Sequence, residues 1–435
     1  MDTTTATTLN RPLAGNATGP LPLLPRLFLR LLRRIRHGRL QFSFPNGSTA
    51  SVGDPDAVPE RVYIRDNAFF NRVLAGGSVG LGEAYVDGLW DAPDLTAVLR
   101  VLGRNQQHLG RAPRGFSLAG RAFNRLIHLG RRNTLKNSRR NIQQHYDLSN
   151  DFYQCFLDPS MSYSSALFSD YYDTLENAQL AKIDRMLDLA RVGPGDRILE
   201  IGSGWGALAI RAARRGARVK TITLSEEQYD LAQERIIDAG LAGQIEIALQ
   251  DYRDLSGRYD AVLSCEMIEA VGQSFLPGYF ETIRNSLKPG ARAVIQAITI
   301  PDERYATYCR SCDWIQKHIF PGGHLPSPGA IHQCVDQAGG MAVESMQGFG
   351  KDYAETLQRW RRNFNTSRQR VETLGFDDPF CRKWNYYLAY CEAGFDAGLI
   401  DVQHVVIQRA ASGHMGNRLA DSAFDGTIPA RSDSL

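Results

Sequence analysis

Arg197-Ile-Leu-Glu-Ile-Gly-Ser-Gly-Trp-Gly206 opens on an apolar run and breaks at once into three glycines. The run reads as a buried strand, Gly202, Gly204 and Gly206 as a tight turn, and Ala207-Leu-Ala-Ile-Arg-Ala-Ala-Arg-Arg215 behind them as a helix. Glycines let backbone approach a ligand closely, and the helix behind them offers free N–H groups and the positive end of its dipole. Such a loop suits a nucleotide-like or polar ligand.

Outward from this loop the pattern alternates. Ala217–Leu224 reads as a second strand, Glu226–Ala239 as a helix, Gln244–Leu249 as a third strand, Tyr259–Ser264 as a fourth, Phe275–Leu287 as a helix and Ala291–Ile298 as a fifth strand. Alternation of this kind predicts an α/β fold with a doubly wound, Rossmann-like sheet whose ligand crevice lies at the carboxyl ends of the strands. The loops at 202–206, 224–228, 250–253 and 266–270 would then face one site. A dinucleotide fold expects G-x-G-x-x-G, and here the third glycine comes one residue early. The shorter E/D-x-G-x-G loop of S-adenosylmethionine methyltransferases matches Glu200-Ile-Gly-Ser-Gly204. A plain glycine-rich surface turn is the third reading of the loop taken alone. From Pro301 the alternation lapses, and residues 301 to about 395, aromatic-rich and mostly helical, read as a cap inserted over the crevice. Asp401–Arg409 returns as a strand expected to complete the sheet's edge.

Length allows two or three domains with a substantial core: 435 residues, 43% hydrophobic and 22% charged. No run of about 18 apolar residues occurs, so no membrane-spanning helix is expected. The seven cysteines are scattered and follow no secretory signal, which predicts a reduced, cytoplasmic chain. Cys309-Arg-Ser-Cys312 lacks a second pair, so no metal is expected there.

Net charge is only +3 but unevenly placed: from Leu95 through Tyr146 there is no acid, among arginines such as Arg100, Arg104, Arg121, Arg131 and Arg140. Pro25–His37 carries Leu27, Phe28, Leu31, Leu32 and Ile35 at helical spacing between arginines. A basic amphipathic helix of this kind is most often packed on a core; among functional readings an anionic membrane suits it better than nucleic acid, for which no signature is visible. Residues 39 to about 95 read as a small mixed domain with strands at Leu40–Phe44 and Arg61–Ile64, a helix from Asn67 to Ala75, and a turn-rich stretch from Gly76 to Gly82. The expected organisation is therefore a disordered start over 1–20, a basic N-terminal domain over 21–140, a catalytic domain over 141–410 with its cap at about 301–395, and a disordered tail over 411–435.

One family carries the same motifs in the same order. His145-Tyr-Asp147, Leu157-Asp158 with Tyr163-Ser164, Leu199–Gly206, Thr223–Gln228, Gln250–Arg253, Met267-Ile-Glu269 with Val271-Gly272, Leu287–Gly290, Ile319–Gly322, and Asp352-Tyr353 with Thr356-Leu357 resemble the cyclopropane-fatty-acyl-phospholipid synthases. These are class I S-adenosylmethionine methyltransferases acting on the double bond of lipid acyl chains. The resemblance runs from about Asn141 to Arg409, with a weaker likeness over the first ~130 residues to the family's smaller N-terminal domain.

The resemblance implies that S-adenosylmethionine touches Tyr163, Ser164, Gly202, Gly204, Thr223, Gln228, Asp251 and Tyr252, with Gly206 closing the loop. The chemistry asks for similar groups: Gln228 after strand two for ribose hydroxyls, Asp251 after strand three for the adenine amino group, and Glu200 as the acid nearest the methionine ammonium. An isolated alkene is a feeble nucleophile, so methyl transfer passes through a carbocation in a dry, anionic site with a base for the proton. The resemblance supplies a bicarbonate as base, held by the backbone of Ser165, the side chains of Glu269 and Gln296, the backbone of Ile298 and the Tyr353 hydroxyl. Ser165 stands where cysteine is common and Gln296 where histidine is common, which exchanges a titratable group for a neutral donor. Taken singly, Glu269 reads as a helix cap, Tyr353 as a core aromatic and Gln296 as a satisfied strand amide. The expected reaction is methylenation of unsaturated phospholipid acyl chains to cyclopropanes, with a methyl- or methylene-branched product as the alternative. The expected partners are phospholipids and the anionic inner face of a membrane, with no nucleic acid, and a second copy of the chain in a homodimer.

Overall fold

The structure, a computed structural model, describes residues 22–109, 148–170 and 173–411. The expectations for 1–20, for most of the acid-free arginine stretch, for His145-Tyr-Asp147 and for the C-terminal tail lie outside the described residues.

Seven strands form the main sheet: β5 (Arg197–Ile201), β6 (Arg218–Thr223), β7 (Ile245–Leu249), β8 (Tyr259–Cys265), β9 (Leu287–Thr299), β10 (Met341–Gly348) and β11 (Asp401–Arg409). Their order is β10-β11-β9-β8-β5-β6-β7. β5 to β9 pair in parallel, β11 runs antiparallel to β9, and β10 antiparallel to β11. The sheet is doubly wound, with an apolar core on each face. Leu208, Ala212 and Ile183 from the Ala207–Arg214 and Leu175–Leu189 helices pack on one side. Tyr279, Ile283, Ile331 and Val335 from the Leu276–Ser286 and Pro328–Ala338 helices pack on the other.

Two expectations change. β11 is interior, and the edge is β10, a strand inside the stretch assigned to the cap. β10 is half exposed along its length, so its sequence lacks the apolar signature of β5 or β8. The Pro328–Ala338 helix and β10 thus belong to the sheet, and the cap consists of the helices before and after them.

A smaller four-stranded sheet has the order β2-β1-β3-β4, built from β1 (Arg39–Ser43), β2 (Thr49–Gly53), β3 (Pro59–Ile64) and β4 (Trp90–Asp91). Beside it the Ala68–Val86 helix continues through the glycines expected to form turns, with a kink at Gly77 (φ 59°, ψ −132°). The later glycines allow close packing: a Cβ on Gly82 would lie 2.5 Å from Trp314 Nε1. The Leu23–Leu32 helix turns Phe28 and Leu32 inward, with Ile35 beyond it, and Phe28 meets Phe42, Phe69 and Phe70 edge-on. Those residues are therefore core, the commonest reading of such a helix. The core of this domain is continuous with that of the cap, where Tyr386 of the Asp378–Asp396 helix meets Tyr85 and also Trp314 of the Trp314–His318 helix, and Tyr85 in turn meets Trp90.

Candidate active site

The strand ends assemble the site. After β5 the chain turns through Gly202 (φ 95°), Gly204 (φ 48°) and Gly206 (φ 86°), the last capping the Ala207–Arg214 helix. A Cβ on Gly204 would meet nothing within 4 Å, because that side opens onto a cavity of about 170 Å³. Tyr163, Ser164, Glu200, Gly202, Gly204, Thr223, Gln228 and Tyr252 all line it. Gly206 and Asp251 do not. Asp251 instead closes on Arg253, accepting from Nε at 2.8 Å and Nη2 at 2.7 Å.

Polar groups in the wall are positioned from several elements. Ser225 caps the Glu226–Asp238 helix and so brings Gln228 into the first turn, where its Oε1 accepts from Thr223 Oγ1 at 2.9 Å. Tyr163 and Tyr387 of the cap join through their hydroxyls at 2.8 Å. The buried Lys182 donates to Ser164 Oγ at 2.6 Å. Glu200 is buried, and its Oε2 has no hydrogen-bond partner among the described residues. Burial pushes its carboxyl up to about 8, against the pull of the nearby Thr221 hydroxyl and the Lys182 charge. This is an acceptor suited to a buried ammonium.

A second group of side chains meets at Glu266, immediately after β8, which sequence reasoning passed over in favour of Glu269. Ser165 N–H donates to Glu266 Oε1 at 2.9 Å, Gln296 Nε2 to the same oxygen at 2.7 Å, and the Tyr353 hydroxyl to Oε2 at 2.6 Å. Glu266 lines the cavity and has φ 48°, a left-handed conformation that a glutamate adopts only when its surroundings hold it there. Glu269 stands apart from this set: its Oε1 accepts the Ile298 N–H at 2.5 Å, and its Oε2 has no hydrogen-bond partner among the described residues. Ser165, Gln296 and Tyr353 are thus brought together on Glu266, and Ile298 on Glu269.

The two acids differ in acidity. Burial raises both, but Glu266 is pulled back by Tyr353, the Ser165 N–H, the Gln296 amide and the Lys182 charge. Glu269 is raised by burial and then further by Glu266, to about 8. One of two neighbouring buried carboxyls takes the proton, and the better-solvated one keeps the charge. Of the pair, Glu266 with its three donors is the more acidic, and Glu269 holds its proton the more tightly. Tyr353, pushed well above its ordinary range by burial and by Glu266, stays a donor. The signal for Glu266 was in the sequence: two acids three residues apart at a strand end.

A family model described as mycolic acid cyclopropane synthetase matches residues 133–405. The chain belongs to this family. It is 42% identical over 381 residues to a tuberculostearic acid methyltransferase of Mycobacterium tuberculosis, covering 86% of this chain and 88% of that one. It is 36% identical over 375 residues to a cyclopropane-fatty-acyl-phospholipid synthase of Escherichia coli, covering 83% and 91%. Among solved structures, a mycolic acid cyclopropane synthase complexed with SAH and CTAB superposes with a TM-score of 0.59 at 29% identity, over 62% of this chain and 98% of that one. This member of the mycolic acid cyclopropane synthetase family has the class I fold and is an S-adenosylmethionine-dependent methyltransferase.

Proposed function

We propose that this chain methylates an isolated double bond in the acyl chain of an unsaturated phospholipid, that Glu266 is the base, and that the product carries a methylene branch. The observation that carries the reading is the Glu266 carboxylate at the cavity wall, seated on Ser165, Gln296 and Tyr353. These are the donors expected to hold a bicarbonate, and they already serve a carboxylate of the chain. The residues present therefore do not suit a separate ion.

They do suit S-adenosylmethionine, through the open side of Gly204, Glu200 for an ammonium, and Thr223 and Gln228 for ribose hydroxyls. When bound, that group supplies an electrophilic methyl. An alkene has no proton to give up beforehand, so methylation leaves positive charge on the acyl chain and a proton must then depart. Glu266, once ionised, stabilises that charge and accepts the proton, and Glu269, the weaker acid of the two, leaves that role to it. Tyr163, Trp360 and Tyr387 keep the site dry from the cap side. If hydride shifts to move the charge onto the methyl-bearing carbon before the methyl proton is lost, a methylene branch remains; if the charge stays on the neighbouring carbon, the ring closes.

The likeness to a tuberculostearic acid methyltransferase favours the branch. The cyclopropane expected from the sequence is the second reading, favoured by the likeness to the Escherichia coli enzyme. Both products add one CH₂, so mass alone does not separate them. Mass spectrometry of lipids from expressing cells before and after catalytic hydrogenation does: the methylene branch takes up hydrogen under conditions that leave a cyclopropane intact. Glu266→Gln should lower turnover by at least about a hundredfold with S-adenosylmethionine affinity unchanged. Full turnover in that variant, or a rate that depends on added bicarbonate, would return the base to a bound ion.

A further inference from the structure

His404 lies two strands beyond the base, with β9 between. Pairing of β9 with β11 sets His404 directly opposite Gln296, and pairing of β8 with β9 sets Gln296 opposite Cys265, the residue before Glu266. The backbone is locked at the same place, with Glu266 N–H donating to Gln296 O at 2.8 Å. The His404 ring is fully buried and packs on Phe349, with ring centroids 4.5 Å apart. Its Nε2 is 2.9 Å from Gln296 Oε1, and its Nδ1 has no hydrogen-bond partner among the described residues.

Packing does not explain a histidine here. Phenylalanine or leucine would fill the position without an orphaned nitrogen, and a buried polar atom with no partner is destabilising. What the ring adds is one N–H. The Gln296 amide has two orientations of nearly equal shape. In one, Nε2 faces Glu266 at 2.7 Å and Ser165 O at 3.3 Å. In the other, Oε1 would face an ionised carboxylate and a carbonyl with no proton between them. An N–H on His404 Nε2 selects the first orientation. The tautomer follows: since Gln296 Nε2 is used toward Glu266, its Oε1 is the acceptor, so the proton sits on His404 Nε2 and Nδ1 is bare.

We infer that His404 is a positioning residue for the methyl transfer, holding the Glu266 carboxylate oriented and ionised through the Gln296 amide. The inference rests on the reading of Glu266 as the base. The groups around the two ends are Lys182, Cys265, Glu269 and Tyr353 near Glu266, and Lys182 and Arg185 near His404. Burial, with those two cations, pushes the His404 ring down to about 3, so it donates as a neutral N–H throughout the working range.

The test uses the full chain with S-adenosylmethionine and dioleoylphosphatidylglycerol vesicles. His404→Phe removes the donor and His404→Gln restores one. His404→Phe should displace the acidic limb of the turnover profile upward by about one pH unit, lowering turnover below that limb about tenfold with KM for S-adenosylmethionine unchanged. His404→Gln should return the limb to its original position. An unmoved limb in His404→Phe, or an equal displacement in both variants, overturns the role. A measurement on the unmodified protein stands even if His404→Phe does not fold: ¹⁵N shifts of the His404 ring, assigned by their loss in His404→Gln, should show Nε2 protonated and Nδ1 bare. A proton on Nδ1 at neutral pH overturns the inference. Glu266→Gln separates the two claims, because full turnover there defeats the base reading, whereas the ring tautomer reports on His404 and Gln296 regardless.

Discussion

Glu200 and His404 are buried with opposite consequences for stability. The Glu200 carboxyl stands at about 8 in the folded protein against an ordinary 4.5. Between those values the unfolded chain releases a proton that the folded chain keeps, so the stability tied to Glu200 is complete below pH 4.5 and falls as pH rises to 8. His404 stands at about 3 against 6.5, and there the unfolded chain gains the proton, so stability is complete above 6.5 and falls on acidification. Urea midpoints followed from about pH 5 to about pH 8 should decline less steeply in Glu200→Gln than in the unmodified protein. His404→Gln should flatten the decline on the acid side. A Glu200→Gln curve parallel to that of the unmodified chain would mean that this carboxyl is ionised in the fold. The same reasoning sets the working range of Glu266: its raised carboxyl must lose its proton before it can act, so turnover should fail on acidification at a pH above that at which a surface glutamate titrates.

Among the elements, the Ala68–Val86 helix shows how a glycine is used for contact. Gly82 brings helix backbone against Trp314 and Tyr386, and an added Cβ would lie 2.5 Å from Trp314 Nε1 and 2.7 Å from Tyr386 Cε1. Both rings are buried and cannot retreat. Gly82→Ala should therefore destabilise by about 1–3 kcal/mol, read as a lower urea midpoint. Gly278, in the Leu276–Ser286 helix with open space around it and no positive φ, is the control: Gly278→Ala should be neutral or stabilise by up to about 1 kcal/mol. The sequence shows five glycines or small residues among the seven from Gly76 to Gly82 and leaves their purpose open, since Trp314 is more than two hundred positions away. Local features were legible. β5, its glycine turn and the following helix are written in eighteen consecutive residues, Arg197 to Arg214, and Gln228 follows from a cap three residues before it. Long-range ones were not. β10 carries no apolar run, Lys182 reads as an ordinary helix lysine, and the Gln296–His404 pair exists only through the register of two strands. Glu266 was visible in sequence, but its φ comes from the turn after β8 and its three donors from the segment at Ser165, from β9 and from the cap.

For the whole molecule, the question is how an acyl chain reaches a buried carboxylate. No helix among the described residues is long and apolar enough to cross a membrane. The Leu23–Leu32 helix keeps a second face outside the core: Leu23 is 79% exposed, and Leu24 and Leu27 are exposed beside Arg26, Arg30 and Arg33. Apolar side chains flanked by arginines, on a domain whose core runs into the cap over the site, suit the surface of an anionic bilayer. Each basic side chain near such a surface contributes about 1 kcal/mol. Arg30→Gln with Arg33→Gln should thus weaken sedimentation with phosphatidylglycerol vesicles by about 2 kcal/mol, roughly thirtyfold in Kd. Raising the salt should narrow the gap between this variant and the unmodified protein, because exposed charges are screened. Leu27→Asp should weaken binding at every salt concentration by removing the apolar contact. Methyl transfer to a detergent-dispersed unsaturated lipid should survive all three changes, because none of them lies at Glu266 or the cavity. Equal partition of the double-arginine variant and the unmodified chain would place the membrane contact on another face, whereas loss of activity on dispersed lipid would show that the helix supports the fold of the site.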